Sequence, residues 1–96
     1  MRIEKDSLGE KKVPDDAWYG IHTCRSLENF GVAGEAMPMP IVRAIVRLKA
    51  ACATANGQLE LLDADRCGAI RKACAALLAG RHDDQFPIDI FQAGSG

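Results

Sequence analysis

Between Pro40 and Gly80 the apolar residues return at intervals of three and four, and this periodicity constrains the chain more than any other feature. Ile41, Ala44, Ile45, Leu48, Ala51, Cys52 and Ala55 recur along one side of a helix, while Arg43, Arg47 and Lys49 take other positions. Pro40 suits the first helical turn, where a backbone N–H is not needed. Asn56-Gly57 is a stop signal, although the pattern lets the helix run on to Leu59. Asp63 then caps a second helix whose stripe is Cys67, Ile70, Ala73, Cys74, Leu77 and Leu78, ended by Gly80. Two amphipathic helices on a short link predict an antiparallel helical hairpin. The many alanines permit a close approach of the axes, so the small residues read as core and not as a cofactor-binding stripe.

Ahead of the helices, Arg2-Ile3-Glu4-Lys5 and Lys11-Lys12-Val13 flank the turn cluster Asp6-Ser7-Leu8-Gly9-Glu10, which predicts a β-hairpin with Gly9 free to take positive φ. Few apolar residues lie here, so the hairpin must lean on something else. Pro14-Asp15-Asp16-Ala17 reads as an entry turn, with Asp15 or Asp16 the expected N-cap of a short helical segment around Ala17-Trp18-Tyr19. After Gly20, Thr23 to Asn29 is expected to form two helical turns with Cys24, Leu27 and Phe30 on one side. Trp18 and Tyr19 are expected to cover a core edge, and Gly31 to Pro40 is a linker. The predicted fold is mainly α, with a short N-terminal β-hairpin, an antiparallel helical hairpin and an extended C-terminal segment. Residues 1–96 suit one small domain, able to bury about two-thirds of its unfolded surface.

The charge balance excludes several partners. Twelve basic against thirteen acidic side chains give a net charge of −1, with signs interspersed, which leaves no electrostatic footprint for nucleic acid or an acidic membrane. No apolar stretch approaches a membrane span, and the charged first sixteen residues exclude a signal peptide, so the cytoplasm is the expected location. Cys24, Cys52, Cys67 and Cys74 form no C-x-x-C pair, and His22 and His82 do not supply metal-ligand spacing. Reduced, small, buried thiols are expected, and no metal site.

The chemistry-bearing stretch is the last one. Phe86-Pro87-Ile88-Asp89-Ile90-Phe91 is an apolar run around Asp89 that delivers the backbone into Gln92-Ala93-Gly94-Ser95-Gly96. Glycines on both sides of a serine let successive N–H groups form a concave nest for an anion, with the Ser95 hydroxyl as a further donor. His22 and Arg25 lie three apart on one helix face, and the Arg25 guanidinium is suited to bidentate binding of a carboxylate. Arg81-His82-Asp83-Asp84-Gln85 reads as a polar turn. Consecutive residues in a turn point in different directions, which argues against an acid–base group or metal site there.

Several separated blocks together resemble the N-terminal part of the aspartase/class II fumarase superfamily. They are Arg2 to Glu10, Val13-Pro14, Trp18-Tyr19-Gly20-Ile21-His22-Thr23, Arg25-Ser26-Leu27-Glu28-Asn29-Phe30, and Asp84 to Gly96. The resemblance implies that residues 1–96 are domain 1 of a larger lyase, ahead of a central helical bundle that assembles a homotetramer with active sites drawn from three subunits. It implies a dicarboxylate substrate and no metal or organic cofactor. A base removes a proton next to one carboxylate, giving an aci-carboxylate dianion, and ammonia or water then leaves the neighbouring carbon to form fumarate. Preorganised N–H and hydroxyl donors stabilise such a dianion. Gly94, Ser95 and Gly96 match a family loop that supplies them and are expected to bind substrate, with Arg25 as a further carboxylate contact.

The family's threonine after this loop, its Ser/Thr-Asn-Asp stretch, its Thr-His pair and the mobile loop with the serine base have no counterpart in residues 1–96. No catalytic residue is therefore assigned in this chain, and its end inside the loop reads as a cut. His22 and Ala93 are similar to aspartate ammonia-lyases, whereas Ser95 and the Arg25 to Phe30 block are similar to fumarases. The resulting expectation is part of an enzyme converting L-aspartate to fumarate and ammonium. The alternatives are a class II fumarase, acting on malate, and a non-catalytic helical interaction module.

Overall fold

A computed structural model describes Met1–Phe91 of the chain. It divides into two compact units: Met1–Met37 with the described residues from Asp84 onward, and Pro38–Asp83.

In the first unit, β1 (Arg2–Asp6) and β2 (Gly9–Val13) form the predicted antiparallel hairpin, in register from Arg2↔Val13 to Asp6↔Gly9. The connection is tighter than the five-residue cluster suggested. Only Ser7 and Leu8 lie between the strands, the Leu8 N–H donates to Asp6 Oδ1 at 2.9 Å, and Gly9 takes φ 115°. Helix α1 (Ile21–Asn29) supplies the support that so polar a hairpin needs: Val13 from β2 packs with Ala17, Ile21 and Cys24, and Tyr19 covers this cluster. Trp18 does not share that role and is 55% exposed.

The short helix expected at Ala17-Trp18-Tyr19 is absent; residues 15–19 are turn and bend. The Pro14 carbonyl accepts the Ala17 N–H at 3.2 Å, closing a single turn that is not continued, and the same carbonyl and its neighbour are shared with the first strand. Arg2 Nη1 donates to the Pro14 and Asp15 carbonyls at 2.9 and 3.2 Å, and the Asp15 carboxylate pairs with the N-terminal amine. The helix starts later, at Ile21, with Gly20 as N-cap and no capping side chain of its own. A residue from the hairpin does that work: Glu4 Oε1 accepts the Ile21 N–H at 3.0 Å. Gly20 suits this approach, because a Cβ there would stand 2.9 Å from the same oxygen.

The second unit is the antiparallel helical hairpin. Helix α2 (Met39–Gln58) has a proline in its first turn and runs past Asn56-Gly57 to a C-cap at Leu59. Helix α3 (Ala64–Leu78) is capped by Asp63, whose carboxylate accepts the Arg66 N–H at 2.8 Å, and Gly80 follows its end with φ 84°. The buried side of α2 is not the stripe of largest residues. Val42, Val46 and Ala53 are buried, whereas Ile41, Ile45 and Leu48 are 49, 51 and 61% exposed. The reason is close approach. A Cβ on Gly57 would meet Cys67 Sγ at 2.9 Å, and that thiol donates to the Ala53 carbonyl at 3.3 Å, so α3 lies against the small residues of α2. Cys24 and Cys74 are buried and Cys67 half-buried as expected, but Cys52 lies on the exposed side of α2.

Candidate functional site

Two anion-binding devices occur among the described residues, the anticipated Arg25 fork and a backbone nest at Ala33-Gly34 that the sequence did not suggest, and each holds a carboxylate of the chain itself. The Arg25 fork on α1 is bidentate, with Nε 2.8 Å from Asp6 Oδ2 and Nη2 3.0 Å from Asp6 Oδ1, and Nη2 also reaches the Gly9 carbonyl at 3.2 Å. Arg25 thereby fastens α1 to the hairpin turn. His22, one helical turn earlier, places Nδ1 4.0 Å from Asp6 Oδ2 and is 89% exposed. A second pair, Lys11 with Glu28, joins β2 to the last turn of α1.

These pairs shift proton affinities. The Arg25 hydrogen bond holds the Asp6 carboxyl below its ordinary value of 3.8, with the Leu8 N–H assisting and burial opposing. Glu4 and Glu28 are lowered likewise, chiefly by Arg2 and by Lys11. A folded value below the unfolded one gives stability that is complete above the unfolded value and lost as pH falls through the folded one. The melting temperature of the chain is expected to fall as the pH is taken below the ordinary carboxylate values of 3.8 to 4.5, and Arg25→Met should flatten the part of that slope owed to Asp6. An unchanged slope in Arg25→Met would show that Asp6 is not held by this pair.

The second device is a nest. Ala33 and Gly34 donate successive N–H groups to Asp89 Oδ2 at 3.1 and 2.9 Å, and Asp89 Oδ1 accepts the Phe91 N–H at 2.8 Å. Gly34 takes φ 66°, the left-handed conformation that turns two neighbouring N–H groups onto one acceptor. The strands on either side are tied by an antiparallel bridge between Ala36 and Asp89, with Met37 N–H on the Ile88 carbonyl at 3.0 Å and Ile90 N–H on the Glu35 carbonyl at 2.8 Å. The extended C-terminal segment is thus anchored up to Phe91. Gly94, Ser95 and Gly96, the expected substrate contacts, lie outside the described residues.

Sequence reasoning noted Asp89 only as the centre of an apolar run. The signal available was an acid where an alternating pattern places a core residue, since such a group is kept only with partners. The polar turn makes ordinary contacts: Asp83 Oδ2 receives Arg43 Nη2 at 2.9 Å while its Oδ1 is buried without a hydrogen-bond partner among the described residues, and Asp84 receives Gln85 Nε2 at 3.3 Å. Gln85 Oε1 in turn accepts the Trp18 N–H at 2.7 Å. Among the described residues no group of three or more His, Cys, Asp or Glu side chains is placed to hold a metal ion. No helix among them is long and apolar enough to cross a membrane.

Comparison with known proteins agrees with the blocks quoted above. A family model described as "Lyase" matches residues 9–96. The class II fumarate hydratase of Halobacterium salinarum is 50% identical over 95 residues, covering 99% of this chain and 20% of its own length. The class II fumarate hydratase of Bacillus subtilis is 47% identical over 95 residues, covering 99% and 21%. Among solved structures, a fumarate lyase:delta crystallin from Brucella melitensis superposes with a TM-score of 0.94 at 42% identity, over 100% of this chain and 22% of that one. A class II fumarase from Schistosoma mansoni does so with 0.90 at 39% identity, over 95% and 19%. The chain spans about a fifth of the length of the curated relatives it matches. With a family model over nearly all its residues and the same backbone at these identities, the chain belongs to the lyase family of the aspartases and class II fumarases.

Proposed function

We propose that the chain is the N-terminal part of a longer class II fumarase, a cytoplasmic homotetramer interconverting malate and fumarate. The observation that carries this reading is identity of 47–50% with class II fumarate hydratases along 99% of the chain. It outweighs the lean towards aspartate ammonia-lyase drawn from His22 and Ala93, two positions set against a match along the whole chain.

In this reading Gly94, Ser95 and Gly96 present N–H and hydroxyl donors to one substrate carboxylate. Their task is to stabilise the second negative charge that builds on that carboxylate when the neighbouring proton is removed. The proton-transferring base and the other carboxylate contacts belong to the remainder of the polypeptide, so the 96 residues alone are inactive. Arg25 enters as the residue that locks α1 to the hairpin, since its fork is occupied by Asp6.

The test is steady-state turnover by the full-length polypeptide that carries this chain. Hydration of fumarate, and dehydration of malate, should exceed deamination of L-aspartate by orders of magnitude in kcat/KM. Faster turnover of aspartate would reverse the assignment within the family. A reading frame that stops at Gly96 would favour the non-catalytic association module instead.

A further inference from the structure

Helix α2 carries a second apolar stripe that nothing among the described residues covers. Ile41, Ile45, Leu48, Cys52, Ala55 and Leu59 follow one another at intervals of 4, 3, 4, 3 and 4, and all six are exposed. That alternation holds a line of side chains on one side of a helix, and it is the spacing that seats one helix on another. Val42, Val46 and Ala53 form the separate, buried side. Leaving two isoleucines and a leucine half or more exposed forgoes the burial that stabilises a helix. The helical hairpin has little else to offset this: within Pro38–Asp83 the buried apolar residues are Val42, Val46, Ala53 and Cys74.

The charges beside the stripe say what covers it. Helix α2 has Arg43, Arg47 and Lys49 and no acidic residue. Arg43 pairs with Asp83, whereas Arg47 and Lys49, on either side of Leu48, are exposed and make no ion pair among the described residues. A second copy of the hairpin would bring the wrong charge. Its α2 repeats the same cations, and its α3 sets Arg66, Arg71 and Lys72 against the single acid Asp65. Like charges across a pair of helices are destabilising. The chain covers only 20–21% of the class II fumarate hydratases it matches, so most of the length of such a polypeptide is elsewhere. We propose that the stripe from Ile41 to Leu59 is the docking face for an amphipathic helix from the polypeptide beyond residue 96, with acidic side chains bordering its apolar side opposite Arg47 and Lys49. The proposal rests on the longer polypeptide of the proposed function, and not on its substrate.

The experiment uses the full-length polypeptide that carries this chain. N-ethylmaleimide labelling reports on the stripe directly, because the tryptic peptide Ala50–Arg66 has Cys52 as its only cysteine. Cys52 is expected to react about a hundredfold or more slowly in the native polypeptide than in urea. A carbodiimide, which joins an amine to a carboxylate in contact with it, is expected to link Lys49 to an Asp or Glu beyond residue 96. Leu48→Ala is expected to lower the melting temperature by about 5 °C or more. On a bare helix surface the same substitution would leave it unchanged or raise it, since alanine is the better helix former.

Native labelling of Cys52 as fast as in urea overturns the proposal, and so does an unchanged or raised melting temperature in Leu48→Ala. A Lys49 link confined to residues 1–96 makes the occupant a second copy and overturns it too. Protection of Cys52 with no link at Lys49 overturns the acidic partner. Labelling and linking need no substitution, so they decide the matter even where Leu48→Ala fails to fold. A polypeptide that hydrates fumarate while Cys52 reacts freely keeps the proposed function and loses the docking face. One that protects Cys52 and links Lys49, yet does not turn over fumarate, does the reverse.

Discussion

Replacing Arg2 by alanine is expected to lower the stability of the hairpin unit by about 2–3 kcal/mol, a large share of what a domain of this size possesses. One guanidinium engages four acceptors: Glu4 Oε2 at 2.7 Å, the Pro14 and Asp15 carbonyls, and the Tyr19 carbonyl at 2.8 Å. These lie on three successive segments, so the loss would not be confined to one contact. Glu4 would also lose the partner that orients it towards the Ile21 N–H, leaving the first turn of α1 without its acceptor. The side chain is about a third exposed, and solvent screening keeps the figure below the sum of four charged hydrogen bonds. Arg2→Lys should recover less than half, because an ammonium cannot serve a planar fork's acceptors at once. Urea unfolding followed by Trp18 fluorescence measures both, since Trp18 is the chain's single tryptophan and sits in this unit. An Arg2→Ala midpoint equal to wild type would show that the network is dispensable.

In the full-length polypeptide, Ser95→Ala is expected to lower kcat/KM for fumarate tenfold to a hundredfold, since a hydroxyl donor to a charged group contributes about 1.5–3 kcal/mol. The low end is expected, because the backbone N–H groups of the loop remain. Gly94→Ala should cost more. If the nest needs positive φ at Gly94, a Cβ strains the backbone and moves several donors rather than deleting one. Kinetics and melting temperature, measured on each variant, separate the two effects. Wild-type kinetics in both, or a loss no greater than the loss of folded protein, would make the stretch a plain connector.

The elements were legible because they depend on local chemistry. Gly9 in the hairpin turn, Asp63 at the start of α3, Pro40 in the first turn of α2 and Gly80 after α3 all act within a few residues of themselves. What the periodicity could not rank was the two apolar sides of α2. One carries Ile41, Ile45 and Leu48, the other Val42, Val46 and Ala53, and both repeat at helical spacing. Residue size points to the first, but close packing against Cys67 requires the small residues of the second. The start of α1 was hidden for a different reason. Its cap comes from Glu4, 17 residues away, and the carbonyls of Pro14 and Asp15 are taken by Arg2 from the first strand. Arg25 was expected to contact a substrate carboxylate, and no local pattern reveals that its fork holds Asp6 of the same chain. The family was legible for the opposite reason to the helix faces, since it depends on the order of many short blocks and not on any one of them.

The link between Ala33 and Asp89 spans 56 residues of chain, and this has a consequence for the order in which the protein folds. Closing so long a loop from an unfolded chain costs about 3–4 kcal/mol of entropy, against contacts that are only a few hydrogen bonds strong. The intervening α2–α3 hairpin is held by local contacts and forms quickly by comparison. Once it has formed, its antiparallel course returns the chain and shortens the loop that remains to be closed. During synthesis the N-terminal β-strands and α1 must therefore wait for Asp89 to leave the ribosome before their last segment is in place. The amides of Ala33 and Gly34, in a stretch that is neither helix nor strand, should consequently be the last in their unit to gain protection from hydrogen exchange.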